Sequence, residues 1–366
     1  MVPEAPEGKE KIMKILTVVG ARPQFIKAAT VSRQIKKNDA IQEVIIHTGQ
    51  HFDANMSAVF FQQMDISKPD YNLGINSLNH GAMTGRMVAE IEAILLKEKA
   101  DWVLVYGDTN STLAGAMAAA KLHINTAHVE AGLRSFNNLM PEEINRILTD
   151  KISNLLFCPT VTAVENLKKE NIVNSAEVSV VNCGDVMYDA ALYYRDRGHK
   201  PVFKLPDKFI LATIHRAENT DNIERLRSII SALNKISENI RVIAPLHPRT
   251  CNILKQHKIR ADFKIINPVG YLEMIHLLQN CSFVMTDSGG LQKEAYFFQK
   301  FCLILRDETE WVELVANGYA IMAGTVYKNI LQAFADVQKL NSDFNRKLYG
   351  DGNAAEKIIS ELQKFQ

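Results

Sequence analysis

Two glycine-containing turns could bind phosphate. Gly20-Ala21-Arg22-Pro23-Gln24 ends the apolar run from Lys14 and opens a helical segment carrying Lys27. Backbone N–H groups, a helix dipole and two cations could meet an anion there; the alternative is a tight turn with solvated cations. It is neither G-x-G-x-x-G nor a Walker A loop, so nicotinamide or ATP binding is not supported. Thr286-Asp287-Ser288-Gly289-Gly290 follows another apolar run and leads into Gln292, Lys293 and Glu294. Paired glycines let the backbone approach an anion, Ser288 adds a hydroxyl, and the helix N-terminus adds partial positive charge. A diphosphate fits, with Glu294 about one turn inside and suited to ribose hydroxyls. The alternative is a glycine turn tightened for packing.

Three further strand ends bring carboxylates: Asp108 in Gly107-Asp108-Thr109-Asn110-Ser111-Thr112, Glu130 in His128-Val129-Glu130-Ala131-Gly132-Leu133-Arg134, and Glu142 with Glu143 after Pro141. Asp108 could simply cap a helix, and one of the Glu142/Glu143 pair could be an ordinary first-turn acid. Glu130 has no such explanation, because a carboxylate ending an apolar strand is costly unless paired or catalytic. His215 and His247 end two later strands, where a hydrogen-bonded loop histidine is the ordinary reading. His47 and His51 flank a loop, HTGQHFD, that could line a cleft. His215 and His247 lie in different βα units without ligand spacing such as H-x-x-x-H, and the cysteines form no C-x-x-C pair, so no metal is expected. Cys183 lacks an adjacent base, and a buried thiol explains it.

These residues need strands to present them. Short apolar runs (KILTVVG, EVIIHTG, DWVLVYGD, NTAHVEAG, VSVVNCGD) alternate with helical periodicity, which predicts βα units around a buried parallel sheet. Residues 196–207, rich in Pro, Gly and charge, read as a linker. The alternation restarts at Lys208 with KFILATIH, RVIAPLHP, FKIINPVG, SFVMTDSGG and FCLILRD. The expected organisation is a loose extension (1–13), an N-terminal Rossmann-like domain (14–195), the linker, a C-terminal Rossmann-like domain (208–350), and a last helix (351–366) that could pack on the first domain. Two doubly wound α/β domains imply an active site in an interdomain cleft. The 366 residues suffice for two cores, and 47% hydrophobic residues with a mean hydropathy of -0.09 exclude global disorder. Balanced charge, +1 overall, gives no field that would recruit nucleic acid or membrane. The polar start, the lack of a spanning segment and five widely spaced cysteines predict a cytoplasmic protein.

The ordered strings GARPQFIK, HTGQHFD, YGDTNST, HVEAGLRS, MPEEINR, GDVMYDA, HRAEN, HP, DSGGLQKEA and RDETE resemble the non-hydrolysing UDP-N-acetylglucosamine 2-epimerase family from Lys14 onward. The resemblance implies a glycosyltransferase-B-like arrangement, a homodimer, no cofactor, and UDP held largely by the C-terminal domain. It implies acid/base roles for Asp108, Glu130 and Glu142, with His215 assisting at the nucleotide or leaving-group side. Arg22 and Lys27 would face the phosphates and sugar. His247, Ser288, Gly289, Gly290 and Glu294 would hold UDP, with Val269 and Met274 at the base and Arg306 adding charge near the diphosphate.

The implied reaction inverts carbon 2 of a UDP-2-acetamido sugar by elimination of UDP to a 2-acetamidoglucal and re-addition, in surface polysaccharide biosynthesis. UDP-N-acetylglucosamine is the expected substrate. The GARPQ form also points to a branch that acts on UDP-2,3-diacetamido-2,3-dideoxyglucuronate. Many family members carry an arginine where this chain has Trp311, so nucleotide contacts or sugar selectivity could differ. A hydrolysing epimerase, a sugar transferase and a non-catalytic nucleotide-sugar sensor are the alternatives; the motif strings and intact carboxylates argue against them.

Overall fold

Among the described residues (12–50, 61–62 and 64–365) of this computed structural model, the chain divides into two units, residues 1–190 with 349–366 and residues 191–348. His51, the rest of 51–60 and most of the expected N-terminal extension lie outside the described residues.

In the first unit β1 (Met13–Val19), β2 (Ile41–His47), β3 (Tyr71–Asn72), β4 (Trp102–Tyr106), β5 (Asn125–Val129), β6 (Leu155–Cys158) and β7 (Ser179–Asn182) form one parallel sheet. Its order is β3-β2-β1-β4-β5-β6-β7. The winding reverses between β1 and β4, so loops diverge at their carboxyl ends and leave space there for a ligand. Both central strands are buried on both faces, which is why they read as continuous apolar runs. Helix α1 (Arg22–Ile35) follows β1 and α2 (His80–Glu98) precedes β4. Met83, Met87, Ile91, Ile94 and Leu95 repeat at helical spacing to give α2 its buried face. Helix α3 (Asn110–Lys121) is made of small residues for a packing reason. A Cβ on Gly115 would stand 3.0 Å from Val105 and 3.2 Å from Val18, so glycine lets α3 lie this close to the sheet without pushing those valines aside. That approach fixes the β4–α3 turn, where Asp108 sits.

Helices α4 (Pro141–Ile152), α5 (Val161–Lys169) and α6 (Val186–Tyr194) continue the winding. The last helix of the chain (Ala354–Gln363) also belongs to this unit. Asp189 accepts the N–H groups of Ala354 and Ala355 at 3.1 and 2.8 Å, and Phe365 meets Trp102 edge to face. The chain leaves the unit at 190/191, inside α6 rather than in the 196–207 stretch. That stretch is tied into the second unit, where the His199 N–H reaches Leu272 O at 3.1 Å.

The second unit repeats the plan with β8 (Phe209–Thr213), β9 (Arg241–Pro245), β10 (Lys264–Ile266), β11 (Phe283–Thr286), β12 (Cys302–Ile304) and β13 (Ala320–Met322). The order β10-β9-β8-β11-β12-β13 is again parallel, with its reversal between β8 and β11. Helices α7 (Ala217–Thr220), α8 (Ile223–Ser237), α9 (Pro248–Gln256), α10 (Tyr271–Asn280), α11 (Gly289–Phe297), α12 (Val312–Ala316) and α13 (Tyr327–Val337) complete it, and the closing helix 354–363 becomes α14. Asn222 caps α8 by accepting two N–H groups at 3.1 Å, and Leu226, Ile229, Ile230, Leu233 and Ile236 point into the core. Both units are the doubly wound α/β domains expected from the strand and helix alternation.

Candidate active site

The turn after β1 is built by Gln24. Its Oε1 accepts the N–H groups of Gly20 and Ala21 at 2.8 and 3.0 Å, while its Nε2 donates to Tyr106 O at 2.7 Å and Thr112 Oγ1 at 3.0 Å. Those two backbone donors are therefore engaged within the protein, which corrects the expectation that they meet phosphate. Gly20 itself answers to packing, since a Cβ would stand 2.0 Å from Ser111 Oγ and 2.3 Å from Thr48 Oγ1. Arg22 is half-buried at the start of α1. His47 is buried with its ring edge to face against Phe25, and burial lowers its pKa.

Lys27, one turn further along α1, forms an ion pair with Glu130. Glu130 is buried and holds a left-handed backbone, φ 77°, which is costly for a non-glycine residue and is characteristic of functional sites. Its N–H and that of Ala131 both donate to Phe157 O at 3.0 Å, which anchors the turn. Gly107 lies beside this pair: a Cβ there would stand 3.3 Å from Lys27 Nζ and 3.5 Å from Glu130 Oε2.

Asp108 does not cap α3. Thr109 does so, accepting from Thr112 N at 3.3 Å, and Asp108 is left to pair with Arg146. Arg146 also holds Glu143 at 2.8 Å, and Asn145 donates to Asp108 O at 3.0 Å. The two acids opening α4 have separate fates. Glu143 is buried and accepts from Ser135 N and Oγ at 2.9 Å and from Phe136 N at 3.0 Å, so it organises the preceding loop. Glu142 is half-buried and makes no hydrogen bond or ion pair among the described residues. Lys27, Asp108 and Glu130 thus meet around Gly107, with Arg146 joining Asp108 to the start of α4.

In the second unit Asp287 is the hub of the β8/β11 reversal. It is fully buried and accepts His215 N at 3.1 and 3.0 Å, Arg216 N at 3.0 Å and Asn219 Nδ2 at 3.1 Å. The His215 ring stands half-exposed, its Nδ1 3.4 Å from Asp287 Oδ1. Loss of solvent lowers the His215 pKa, Asp287 opposes that, and Arg216 and His247 add to the lowering. Ser288 begins α11 without a side-chain cap bond. Neither Gly289 nor Gly290 has a positive φ, and a Cβ on Gly290 would meet nothing within 4 Å. On Gly289 it would make only ordinary contacts, 3.6 Å from Glu310 Oε2 and Trp311 Nε1 and 3.7 Å from Arg216. The protein's own packing therefore does not demand these glycines.

Glu294 is buried in α11. His247 is exposed and caps α9, its Nδ1 accepting from Arg249 N at 3.2 Å. Val269 and Met274 stand half-buried immediately before and in the fourth position after the cap Gly270, where apolar pairs fix the entry of a helix. Arg306, expected to add charge at the diphosphate, is buried with its guanidinium on Glu310 at 3.0 Å and Glu218 at 3.2 Å. It approaches the glycine turn through Glu310. Trp311 is buried beneath Lys293, whose Nζ lies 4.0 Å from the ring centroid. Burial pushes the Cys183 thiol well up, as suits a structural residue.

Sequence reasoning assigned no role to Gln24, Arg134, Asn145, Arg146 and Asp287, although they stand in its motifs, and passed over Asp150. Asn145, Arg146, Thr149 and Asp150 share a helical stripe, and all four are buried. That spacing was the available signal.

A doubly wound unit with paired carboxylates at its strand ends, and a second with an open glycine turn at a helix N-terminus, have the parts of an enzyme acting on nucleotide sugars. The model of the UDP-N-acetylglucosamine 2-epimerase family matches residues 33–363, and the chain belongs to that family. It is 54% identical to the UDP-2,3-diacetamido-2,3-dideoxy-D-glucuronate 2-epimerase of Pseudomonas aeruginosa, over 96% of this chain and 100% of the relative. It is 43% identical to a UDP-N-acetylglucosamine 2-epimerase of Methanococcus maripaludis, over 95% and 97%. The Methanocaldococcus jannaschii UDP-GlcNAc 2-epimerase, solved with UDP-GlcNAc and UDP, superposes with a TM-score of 0.86 at 41% identity, covering 97% of this chain and 99% of that one. The protein is accordingly a UDP-sugar 2-epimerase, an isomerase.

Proposed function

We propose that the protein inverts carbon 2 of a UDP-2-acetamido sugar by elimination and re-addition, and that UDP-2,3-diacetamido-2,3-dideoxyglucuronate is its substrate. The observation that carries the chemistry is the set of three carboxylates in three settings: Glu130 against Lys27, Asp108 against Arg146, and Glu142 unpaired among the described residues. Distinct acid and base roles require carboxylates held against different partners, as these three are. The carbon 1–oxygen bond breaks with its electron pair leaving on UDP, a carboxylate takes the carbon 2 proton, and a double bond forms between carbons 1 and 2. Re-addition delivers a proton to the opposite face of carbon 2 and returns the phosphate oxygen to carbon 1. Oxidation states balance without a redox partner. Ser288 and the N–H groups opening α11 stabilise the departing diphosphate, with His215 at the leaving-group side.

The substrate assignment rests on the 54% identity to the diacetamido-uronate enzyme against 43% to a UDP-N-acetylglucosamine enzyme, and so reverses the order expected from sequence motifs. UDP-N-acetylglucosamine remains the second reading, favoured by the relatives solved with it. Incubating the protein with each sugar in deuterated water and following proton NMR tests both. Deuterium entering carbon 2 of the diacetamido-uronate, at a kcat/KM at least tenfold above the other sugar, is expected; exchange confined to UDP-N-acetylglucosamine overturns the assignment.

We further propose a homodimer serving surface polysaccharide synthesis in the cytoplasm. Free thiols support the compartment, and an exposed apolar stripe on α4, Ile144, Leu148 and Ile152 with Leu139 and Phe136 ahead of it, supports self-association. No helix among the described residues is long and apolar enough to cross a membrane.

A further inference from the structure

His128 lies two residues before Glu130 and is fully buried, with two hydrogen bonds and only acceptors to receive them. Its Nε2 is 2.7 Å from Gly107 O, and its Nδ1 is 2.7 Å from Asp150 Oδ1. A carbonyl cannot donate, so Nε2 must carry a proton. Asp150 is equally buried and receives, besides His128, Arg134 NH1 at 2.7 Å and Gly132 N at 3.1 Å on its other oxygen. Burial alone would raise the Asp150 carboxyl, but the bonds and charges of His128 and Arg134 outweigh it and hold it below the usual range, so Nδ1 faces a carboxylate. Arg134 is in turn paired with Glu170 at 2.6 and 2.9 Å. The cluster therefore balances Arg134 and the doubly donating His128 against the buried Asp150 and the partly exposed Glu170.

We propose that Asp150 and His128 are positioning residues for proton transfer at carbon 2. Asp150 locks His128 as an imidazolium that ties Gly107, the residue before Asp108, to the strand that leads into Glu130. The same carboxylate anchors Gly132 and Arg134 just beyond Glu130, so the left-handed turn at Glu130 is held on both sides. The brace connects β4, β5 and α4, the three elements that carry Asp108, Glu130 and Glu142. This inference rests on the epimerase reading above.

Nitrogen-15 NMR of histidine-labelled wild type, without substrate, examines the brace by itself. The His128 ring, identified by its loss in His128→Gln, should show both nitrogens protonated at neutral pH, since both face acceptors; a neutral tautomer there overturns the proposal. Asp150→Asn and His128→Gln should each lower kcat about 10²-fold, the cost of a misplaced catalytic group, while KM and UDP affinity stay within about threefold. Unchanged kcat in folded variants, or a loss confined to KM, overturns it. If Asp150→Asn does not fold, His128→Gln and the wild-type ring state carry the test. Absence of carbon 2 exchange by wild type on either sugar is a failure of the functional reading, which the ring-state measurement distinguishes from a failure of the brace.

Discussion

Glu130 concentrates the costs of this site in one residue: a buried carboxylate, a left-handed backbone and an ion pair with Lys27. Glu130→Gln keeps the shape and removes the proton acceptor, so kcat should fall by ~10²–10⁴-fold. UDP affinity by calorimetry should stay near wild type, because the proposed diphosphate turn lies in the other unit; retained turnover would remove Glu130 from the mechanism. Arg146→Met leaves Asp108 and the buried Glu143 without their cation. Breaking a buried pair costs about 3–5 kcal/mol, and the lower end is expected because Glu143 keeps its bonds to Ser135 and Phe136. Urea unfolding measures that loss. Asp150 adds a pH dependence. Its native pKa lies below the ordinary 3.8, so its stabilisation is fully present above that pH and fades as pH falls through the native value. In a His128→Gln background, where the ring cannot titrate, the stability lost on Asp150→Asn should therefore be constant from pH 5 to 7 and narrow below about 4; a loss that grows in acid contradicts the assigned charge.

At the scale of elements, α4 is turned inside out. Its acidic, amide and basic residues, Glu143, Asn145, Arg146 and Asp150, are buried, while Ile144, Leu148 and Ile152 are 48%, 42% and 36% exposed. An apolar repeat at helical spacing ordinarily marks the core face, so sequence periodicity points the wrong way here. This explains why Arg146 and Asp150 escaped notice although both stand in or beside a recognised motif. The two glycine turns separate by the same logic. Gly20→Ala should lose about 1–3 kcal/mol in urea unfolding, because Ser111 and Thr48 already fill the space. Gly290→Ala meets open space at a negative φ, so stability should hold or rise by ~0.4–1 kcal/mol. Its UDP affinity should nevertheless fall at least tenfold if the ligand occupies that space.

At the scale of the molecule, an exposed stripe on a helix whose polar face is already used has one productive partner, a second apolar surface. Leu148→Glu should convert a dimer to a monomer in sedimentation velocity without unfolding it, and a wild-type monomer at micromolar concentration would sink the homodimer proposal. The strand-and-helix alternation alone determined two doubly wound units, because parallel strands buried on both faces must be apolar throughout and their ends must carry whatever polar chemistry exists. It likewise marked Asp108, Glu130, the Glu142/Glu143 pair and the Ser288–Gly290 turn, while the family resemblance chose Glu142 and gave His215 its role. Tertiary structure decided which of these are engaged and by what: Lys27 by Glu130, Arg146 by Asp108, Arg306 by Glu218 and Glu310, and the Gly20 and Ala21 amides by Gln24. It also placed the first crossing inside α6 and turned α4 polar side inward. These outcomes depend on charges far apart in sequence arriving in one low-dielectric space, where each must find a partner, and local spacing carries no record of that encounter.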